Sequence, residues 1–247
     1  PFAVDNTFRT PYLCRPFDFG ANIVTHSLSK YADGHACSLG GIVVDKGDFD
    51  YEASGKFPGL TTPDESYHGL VYTKTFGNLA FITKARTHVM RDFGMMISPM
   101  NAWLTNMNLE TLPLRMVKHS ENGQKLAEFL ASHPKVDWVE YPGLPNSSSA
   151  ALAKKYLKAC GGVMTFGPKG GRKAAEKLLN SLELAALVIH VADARTGVLH
   201  PASTTHRQLS DEEQRATGIL PELIRVSVGL EHIDDIIADF DQAFSKI

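Results

Sequence analysis

The chain has 247 residues, of which 43% are hydrophobic and 21% charged, and it is long enough to bury a core in one large or two modest domains. A formal net charge of −2 gives no electrostatic reason to expect nucleic acid or an anionic membrane as a partner, and no apolar run reaches the length of a membrane span. Cys14, Cys37 and Cys160 form an odd, widely separated set, which argues against a disulfide framework and is typical of a reducing, cytoplasmic compartment.

Short strands and turns are predicted for the first part of the chain. The apolar segment 2–4 ends at Asp5, and the segments 22–26 and 39–45 have the composition of short buried strands. From Gly47 to Leu70 the glycine and proline content predicts a long loop, and loops of that length in compact domains are usually functional.

Helices and strands alternate in the rest of the chain. A helix predicted from about Ala102 to Ala131 bridges two domains. Strands follow at 136–141 and 162–166, then a helix at 172–181 and a strand at 223–228. A terminal amphipathic helix is predicted from apolar residues at helical spacing, which are Ile233, Ile236, Ile237, Phe240 and Phe244. This alternation indicates an α/β fold.

Four residues near the first two strands have the chemistry that pyridoxal 5′-phosphate (PLP) requires. Lys30 could hold the cofactor aldehyde as a Schiff base, provided that desolvation or nearby positive charge lowers the pKa of its amine. Asp5 could keep the ring nitrogen protonated. Ser27 and Ser29, on one face of an extended segment, could donate hydrogen bonds to the phosphate. Taken singly, each motif is more typical of an ordinary turn or loop.

Short motifs in a fixed order extend this pattern along the chain. They include Asp5-Asn6-Thr7-Phe8, Ser29-Lys30-Tyr31, Gly34-His35, Phe57-Pro58-Gly59-Leu60, the run from His200 to His206 and the run from Leu223 to Glu231. This order resembles that of the Cys/Met-metabolism family of PLP-dependent enzymes, which includes cystathionine synthases and lyases, methionine γ-lyase and O-acetylhomoserine sulfhydrylase. The later motifs are most similar to the sulfhydrylases.

The resemblance implies a PLP-dependent transferase fold of type I, which is aspartate aminotransferase-like. Residues 1–100 would be the C-terminal part of the large PLP-binding domain, and residues 101–247 the linking helix and the small C-terminal domain. By the same resemblance Lys30 is the Schiff-base lysine, Asp5 the partner of the pyridine nitrogen, and Ser27 and Ser29 ligands of the phosphate.

The resemblance also gives a role to Arg225, which would bind the α-carboxylate of the substrate. A planar guanidinium suits that task because it can donate two parallel hydrogen bonds to a carboxylate. In the strand 223–228, Arg225 and Ser227 lie on one face. Without the resemblance, a solvated arginine on a half-exposed sheet is the simpler interpretation.

The chain departs from the family pattern at two places. It reads His190-Val191-Ala192-Asp193 where the family has a small polar residue and then a Gly-Asp pair, so His190 is expected to line the substrate pocket. A packed or surface histidine is the alternative. Pro1 is not a translation start, and the chain is therefore expected to be the C-terminal part of a longer enzyme, whose N-terminal part completes the site.

The activity implied by the resemblance is γ-replacement on O-acetylhomoserine, a small amino-acid substrate. Acetate leaves Cγ, and sulfide or methanethiol adds to give homocysteine or methionine, while the Lys30 amine carries protons. A homotetramer built as a dimer of dimers is also implied, and no metal site is expected. The alternatives are a γ-lyase or cystathionine synthase of the same family, and a non-catalytic fragment that retains the fold.

Overall fold

The structure is a computed structural model that describes residues 1–247. Its strands are β1 (Ala3–Asp5), β2 (Ile23–Ser27), β3 (Gly41–Asp45), β4 (Val136–Glu140), β5 (Val163–Pro168), β6 (Ala186–Leu187), β7 (Gly197–Leu199) and β8 (Ile224–Ser227). They form a three-stranded sheet in the order β1-β2-β3 and a five-stranded sheet in the order β4-β5-β8-β7-β6.

Helices accompany both sheets along the chain and pack on the five-stranded one, which confirms the predicted α/β class. The longer ones are α1 (Pro99–Glu110), α2 (Leu112–Ser132), α3 (Ala150–Tyr156), α4 (Gly171–Leu179) and α5 (Ile233–Ser245). Short helices lie at Thr10–Leu13, Tyr51–Ser54, Pro58–Thr61, Tyr72–Phe76, Ala80–Lys84, Arg91–Phe93 and Asp211–Ala216. None of these helices combines the length and the hydropathy that a membrane crossing requires.

The small sheet joins a parallel pair to an antiparallel edge. β1 runs parallel to β2, and β3 pairs with the other side of β2 in the antiparallel sense. The predicted strand at 22–26 is confirmed, with Ile23 and Val24 buried. The prediction that β3 is buried was wrong, because β3 is an edge strand on which Ile42 and Val43 are 45% and 47% exposed.

The segment after β3 is a helical unit and not the long loop that was predicted. Its short helices enclose a small core of Tyr51, Leu60, Tyr72 and Ala80. Proline and glycine were misleading here because they sit at helix ends. Pro58 occupies the first turn of its helix, where its missing N–H costs nothing.

The predicted bridging helix consists of two helices. α1 ends at Glu110, Thr111 separates the two, and α2 begins at Leu112 with Pro113 in its first turn. Proline cannot donate the backbone hydrogen bond that a continuous helix would need at this point. α2 buries Met116, Leu126 and Leu130.

The main hydrophobic core lies between the five-stranded sheet and helices α2, α4 and α5. Phe166 of β5 packs edge to face on Phe240 of α5, with ring centroids 6.1 Å apart, an arrangement that aromatic quadrupoles favour. The predicted strands at 136–141, 162–166 and 223–228 are confirmed, and so is the amphipathic terminal helix. The domain boundary near residue 100 stays a prediction.

Asp239 of α5 fastens the loop that precedes β6. It is 6% exposed, and its carboxylate accepts the backbone N–H groups of Glu183, Leu184 and Ala185 at 2.7, 3.1 and 2.9 Å. One buried side chain therefore satisfies three backbone donors of a segment that forms no β-sheet hydrogen bonds at that point.

We expect Asp239→Ala to lower the free energy of unfolding by about 3 kcal/mol, because three backbone donors lose a charged acceptor. Asp235→Ala is the matched control, since Asp235 is an exposed aspartate in the first turn of the same helix. Urea denaturation followed by circular dichroism measures both. Equal losses in the two variants would contradict this account of the loop.

Candidate active site

Parallel pairing brings two of the predicted site segments to one edge of the small sheet. Asp5 is in register with Thr25 of the neighbouring strand, so both strands end at the same edge. Asp5 is the last residue of β1, and Ser27 is the last residue of β2. In open α/β sheets this carboxyl edge is where ligands bind.

Thr7 joins the two strand ends. Its hydroxyl and its backbone N–H both donate to Asp5 Oδ1, at 2.5 and 2.9 Å, and its Oγ1 accepts the Ser27 N–H at 2.8 Å. The hydroxyl and backbone hydrogen bonds from Thr7 lower the pKa of Asp5 below its ordinary value. Asp5 is therefore an anion at neutral pH, and its Oδ2 is left to accept from a ligand.

Lys30 lies in a wide helical turn that follows β2 directly. The turn spans Leu28–Ala32, and the backbone at Lys30 (φ −100°, ψ −135°) departs from helical values. The prediction that Ser27 and Ser29 alternate along an extended segment was wrong, because the chain bends immediately after Ser27. Their hydroxyl oxygens nevertheless lie 3.4 Å apart, so both can donate to one anion.

The environment of Lys30 lowers the pKa of its amine. Burial lowers the pKa of Lys30, and the positive charge of Arg225 lowers it further. Both effects act against the ammonium form. The amine is therefore a better nucleophile at neutral pH than a lysine in water, which is the property predicted for a residue that reacts with an aldehyde.

Arg225 lies on β8, the central strand of the five-stranded sheet. Its Nη2 donates to the carbonyl oxygens of Ile189 at 2.7 Å and His190 at 3.3 Å, which fixes the orientation of the guanidinium. Its Nε is buried without a hydrogen-bond partner. Because a buried cationic donor is costly when it is unpaired, this atom marks a place where an anionic ligand would be stabilised.

Direct hydrogen bonds connect the lysine turn, which we define as Leu28–Gly34 to include the two residues after the helical turn, to the five-stranded sheet region. Gly34 O accepts the Ala194 N–H at 2.8 Å, and the Tyr31 hydroxyl accepts the Gly162 N–H at 3.2 Å. The Arg115 guanidinium donates to Tyr31 O at 2.7 Å from α2. Lys30 is thereby held in a defined position relative to Arg225.

His190 lies near both cationic residues. Burial lowers the pKa of His190, and the charge of Lys30 lowers it further, so its imidazole is neutral at pH 7. Its Nε2 is buried without a partner. The structure thus brings all six predicted site residues into two adjoining groups, with Asp5, Ser27, Ser29 and Lys30 at the sheet edge and His190 and Arg225 beside them.

Sequence reasoning missed the residues that hold the site together. Thr7 had a local signal, since a hydrogen bond from the residue two positions after an aspartate is a common turn. Ser227 Oγ accepts the buried Ala192 N–H at 2.7 Å and Arg115 supports the lysine turn, but neither contact has a local signal. Both join residues that are far apart in the chain.

The donor set suits PLP. Two hydroxyls next to Lys30 can bind a phosphate, a carboxylate can pair with a protonated ring nitrogen, and an amine of lowered pKa can react with an aldehyde. Arg225 adds a buried, unpartnered donor for a carboxylate.

Comparison with known proteins agrees with this chemistry. A family model described as Cys/Met metabolism PLP-dependent enzyme matches residues 1–245. The chain is 52% identical over 246 residues to a homocysteine synthase of Schizosaccharomyces pombe, and the aligned region covers 98% of this chain and 57% of that protein. It is 48% identical over 257 residues to an O-acetyl-L-homoserine sulfhydrylase of Leptospira meyeri, and the aligned region covers 100% of this chain and 58% of that protein.

A solved structure shares the fold. The crystal structure of a protein from Campylobacter jejuni described as an O-acetylhomoserine (thiol)-lyase, which contains N′-pyridoxyl-lysine-5′-monophosphate, superposes with a TM-score of 0.93 at 38% identity. The match covers 98% of this chain and 58% of that one. The predicted fold class is therefore confirmed, and the chain spans less than two thirds of the length of these relatives.

We expect Thr7→Val to raise the pKa of Asp5 toward its ordinary value, because valine keeps the shape of threonine but removes the hydroxyl hydrogen bond to Oδ1. Thr7→Ser, which retains the hydroxyl, is the control. The carboxyl ¹³C shift of Asp5, followed by NMR as pH falls, reports the midpoint. An unchanged midpoint in the valine variant would show that Thr7 does not govern the charge of Asp5.

Proposed function

The chain belongs to the Cys/Met metabolism family of PLP-dependent enzymes, and we propose that it carries the cofactor lysine and the substrate carboxylate site of an O-acetylhomoserine sulfhydrylase. The observation that carries this proposal is the position of Lys30, which follows β2 at the carboxyl edge where Asp5 ends β1, and whose amine has a pKa lowered by burial and by the charge of Arg225. The names of the relatives supply the substrate class.

The proposed reaction replaces the acetoxy group of O-acetylhomoserine by sulfur. Acetate leaves Cγ with the electrons of the C–O bond, and sulfide or methanethiol forms the new C–S bond, which gives homocysteine or methionine. When bound, PLP supplies an electron sink that makes the protons on Cα and Cβ of the amino acid acidic.

Each site residue then has one task. Lys30 Nζ binds the cofactor aldehyde and, when it is free, holds and moves protons at Cα and Cβ, for which a flexible amine is suited. Asp5 Oδ2 stabilises the proton on the ring nitrogen. The Ser27 and Ser29 hydroxyls bind the phosphate, and the Arg225 guanidinium orients the amino acid by its carboxylate.

Three further features of the proposal come from the family resemblance. His190 lines the substrate pocket beside Arg225. The N-terminal part of the same enzyme completes the cofactor site, and the assembly is a homotetramer. The cytoplasmic location also stays a prediction.

We expect the full-length protein with PLP to absorb visible light through the bond at Lys30, and Lys30→Ala to lose that band and all activity, because alanine has no amine to bind the aldehyde. Lys46→Ala, at an exposed lysine after β3, is the control.

Product analysis with O-acetylhomoserine tests the reaction: sulfide-dependent homocysteine supports sulfhydrylation. Ammonia and an oxoacid formed without sulfide would favour a γ-lyase instead.

We expect Arg225→Lys to raise the KM for O-acetylhomoserine by about 10–100-fold with a smaller effect on kcat, because an ammonium cannot give two parallel hydrogen bonds to the carboxylate. Arg172→Lys is the matched control, since Arg172 is a partly exposed arginine at the start of α4 and pairs with Asp211. Steady-state kinetics measures both. A KM that is unchanged in Arg225→Lys would remove Arg225 from the substrate site.

A further inference from the structure

Arg225 is bonded to a short surface segment in this structure. Its Nη2 donates to the main-chain carbonyl oxygens of Ile189, at 2.7 Å, and of His190, at 3.3 Å. Because Nη2 carries two hydrogens, these two acceptors are enough to occupy it. We call the two residues Ile189 and His190 the strap.

A carboxylate that binds an arginine by two parallel hydrogen bonds requires Nη2. The guanidinium presents two parallel N–H groups either at its end, from Nη1 and Nη2, or along its side, from Nε and Nη2. In Arg225 the side pair consists of Nε, which is buried without a partner, and of Nη2, which the strap occupies. The substrate carboxylate and the strap carbonyls therefore compete for the same donor atom.

The carboxylate is the better acceptor of the two. A hydrogen bond between two ionised groups is shorter and stronger than one from the same donor to a neutral carbonyl. Burial lowers the pKa of Arg225, which shows that the protein desolvates this charge, and an anion would offset that cost. A carboxylate on the side pair would also give Nε its missing partner. The exchange of carbonyls for carboxylate is therefore favourable.

Apart from Arg225, little holds the strap to the protein. The main-chain N–H and C=O groups of Ile189 and His190 make no other hydrogen bond within the protein. The Ile189 side chain is 68% exposed. Loss of the two bonds to Nη2 would therefore free this part of the backbone.

Both ends of the strap are fixed. Before it, the Val188 N–H donates to Val198 O at 3.0 Å. After it, the Val191 side chain is buried, and the Ala192 N–H donates to Ser227 Oγ at 2.7 Å. Ala192 has a left-handed backbone (φ 67°), a conformation that persists in a residue with a Cβ atom when its surroundings enforce it. Displacement of the strap is therefore a local movement between two fixed points.

From this geometry we propose that the strap is a gate for the carboxylate of the substrate: its carbonyls hold Arg225 Nη2 until a carboxylate displaces them. This inference rests on the carboxylate site proposed above for Arg225. The aldehyde of PLP reacts with amines in general, and an amine without a carboxylate cannot displace the strap. The exchange thus adds a selectivity for α-amino acids that the aldehyde alone lacks.

A nitroxide label on the strap tests the proposal in the full-length, PLP-loaded enzyme. The label is attached at Ile189→Cys in a Cys37→Ser background, since Cys37 is the exposed native cysteine. The ligands are L-norleucine, an α-amino acid without a leaving group at Cγ, and pentylamine, the same molecule without the carboxylate. We expect norleucine to shorten the rotational correlation time of the label several-fold, because a held segment gains loop motion. Pentylamine should leave it unchanged, and PLP absorption reports the binding of each ligand.

Arg225→Met gives a second test that needs no ligand. Methionine cannot donate to the strap, so the label should be mobile from the start and should not respond to norleucine. Arg195→Met is the matched control, because Arg195 is an exposed arginine of the same loop that pairs with Asp193. A label at Leu184→Cys should respond to neither ligand, since Leu184 is exposed but its N–H is bonded to Asp239.

Three results would overturn the proposal. They are equal label mobility in the wild-type and Arg225→Met backgrounds, an unchanged label when norleucine has altered the PLP absorption, and an equal response to pentylamine and norleucine. A full-length enzyme that forms no homocysteine from O-acetylhomoserine and sulfide would instead refute the proposed function, whatever the label shows.

Discussion

The lysine turn is held between two sheets, and the site depends on that attachment. On one side the turn continues β2, whose parallel pairing with β1 carries Asp5 to the same edge. On the other side Gly34 and Tyr31 accept backbone N–H groups of Ala194 and Gly162. These bonds use backbone and buried atoms, so they set the distance between Lys30 and Arg225 without occupying either side chain.

The same attachment explains the electrostatics of the site. Holding Lys30 half-buried and close to Arg225 lowers the pKa of its amine, and this happens only if neither side chain can swing into water. Arg225 Nε is in addition a buried donor without a hydrogen-bond partner. Unpaired polar groups cost free energy in the folded protein, and that cost is recovered when a ligand supplies the missing partners.

Sequence patterns predicted which helices and strands form better than they predicted which elements pack against them. The alternation in 223–228 and the helical spacing from Ile233 to Phe244 are local, so β8 and α5 could be recognised. The exposure of β3 could not, because the composition of Ile42 and Val43 does not reveal whether another element covers them. In the segment 47–70, aromatic packing around Tyr51 overrides the glycine and proline signals that predicted a loop.

In the candidate site, the sequence likewise predicted the residues that bear the chemistry but not the contacts that support them. Lys30, Asp5 and the two serines could be predicted because their chemical types and spacing suit one cofactor, and Arg225 and His190 through family resemblance. Their supports could not be predicted: the Gly34–Ala194 hydrogen bond and the hydrogen bond from the Gly162 N–H to the Tyr31 hydroxyl join residues more than a hundred positions apart, and only the fold brings them together.

The most direct test of this account is chemical reduction of the full-length protein in the presence of PLP. Borohydride converts a bond between the cofactor aldehyde and a lysine amine into a stable link, and peptide mass spectrometry then locates it. The account predicts one pyridoxyl phosphate group on the peptide that contains Lys30. A protein that stays unmodified there, or that carries the group on another lysine, would contradict it.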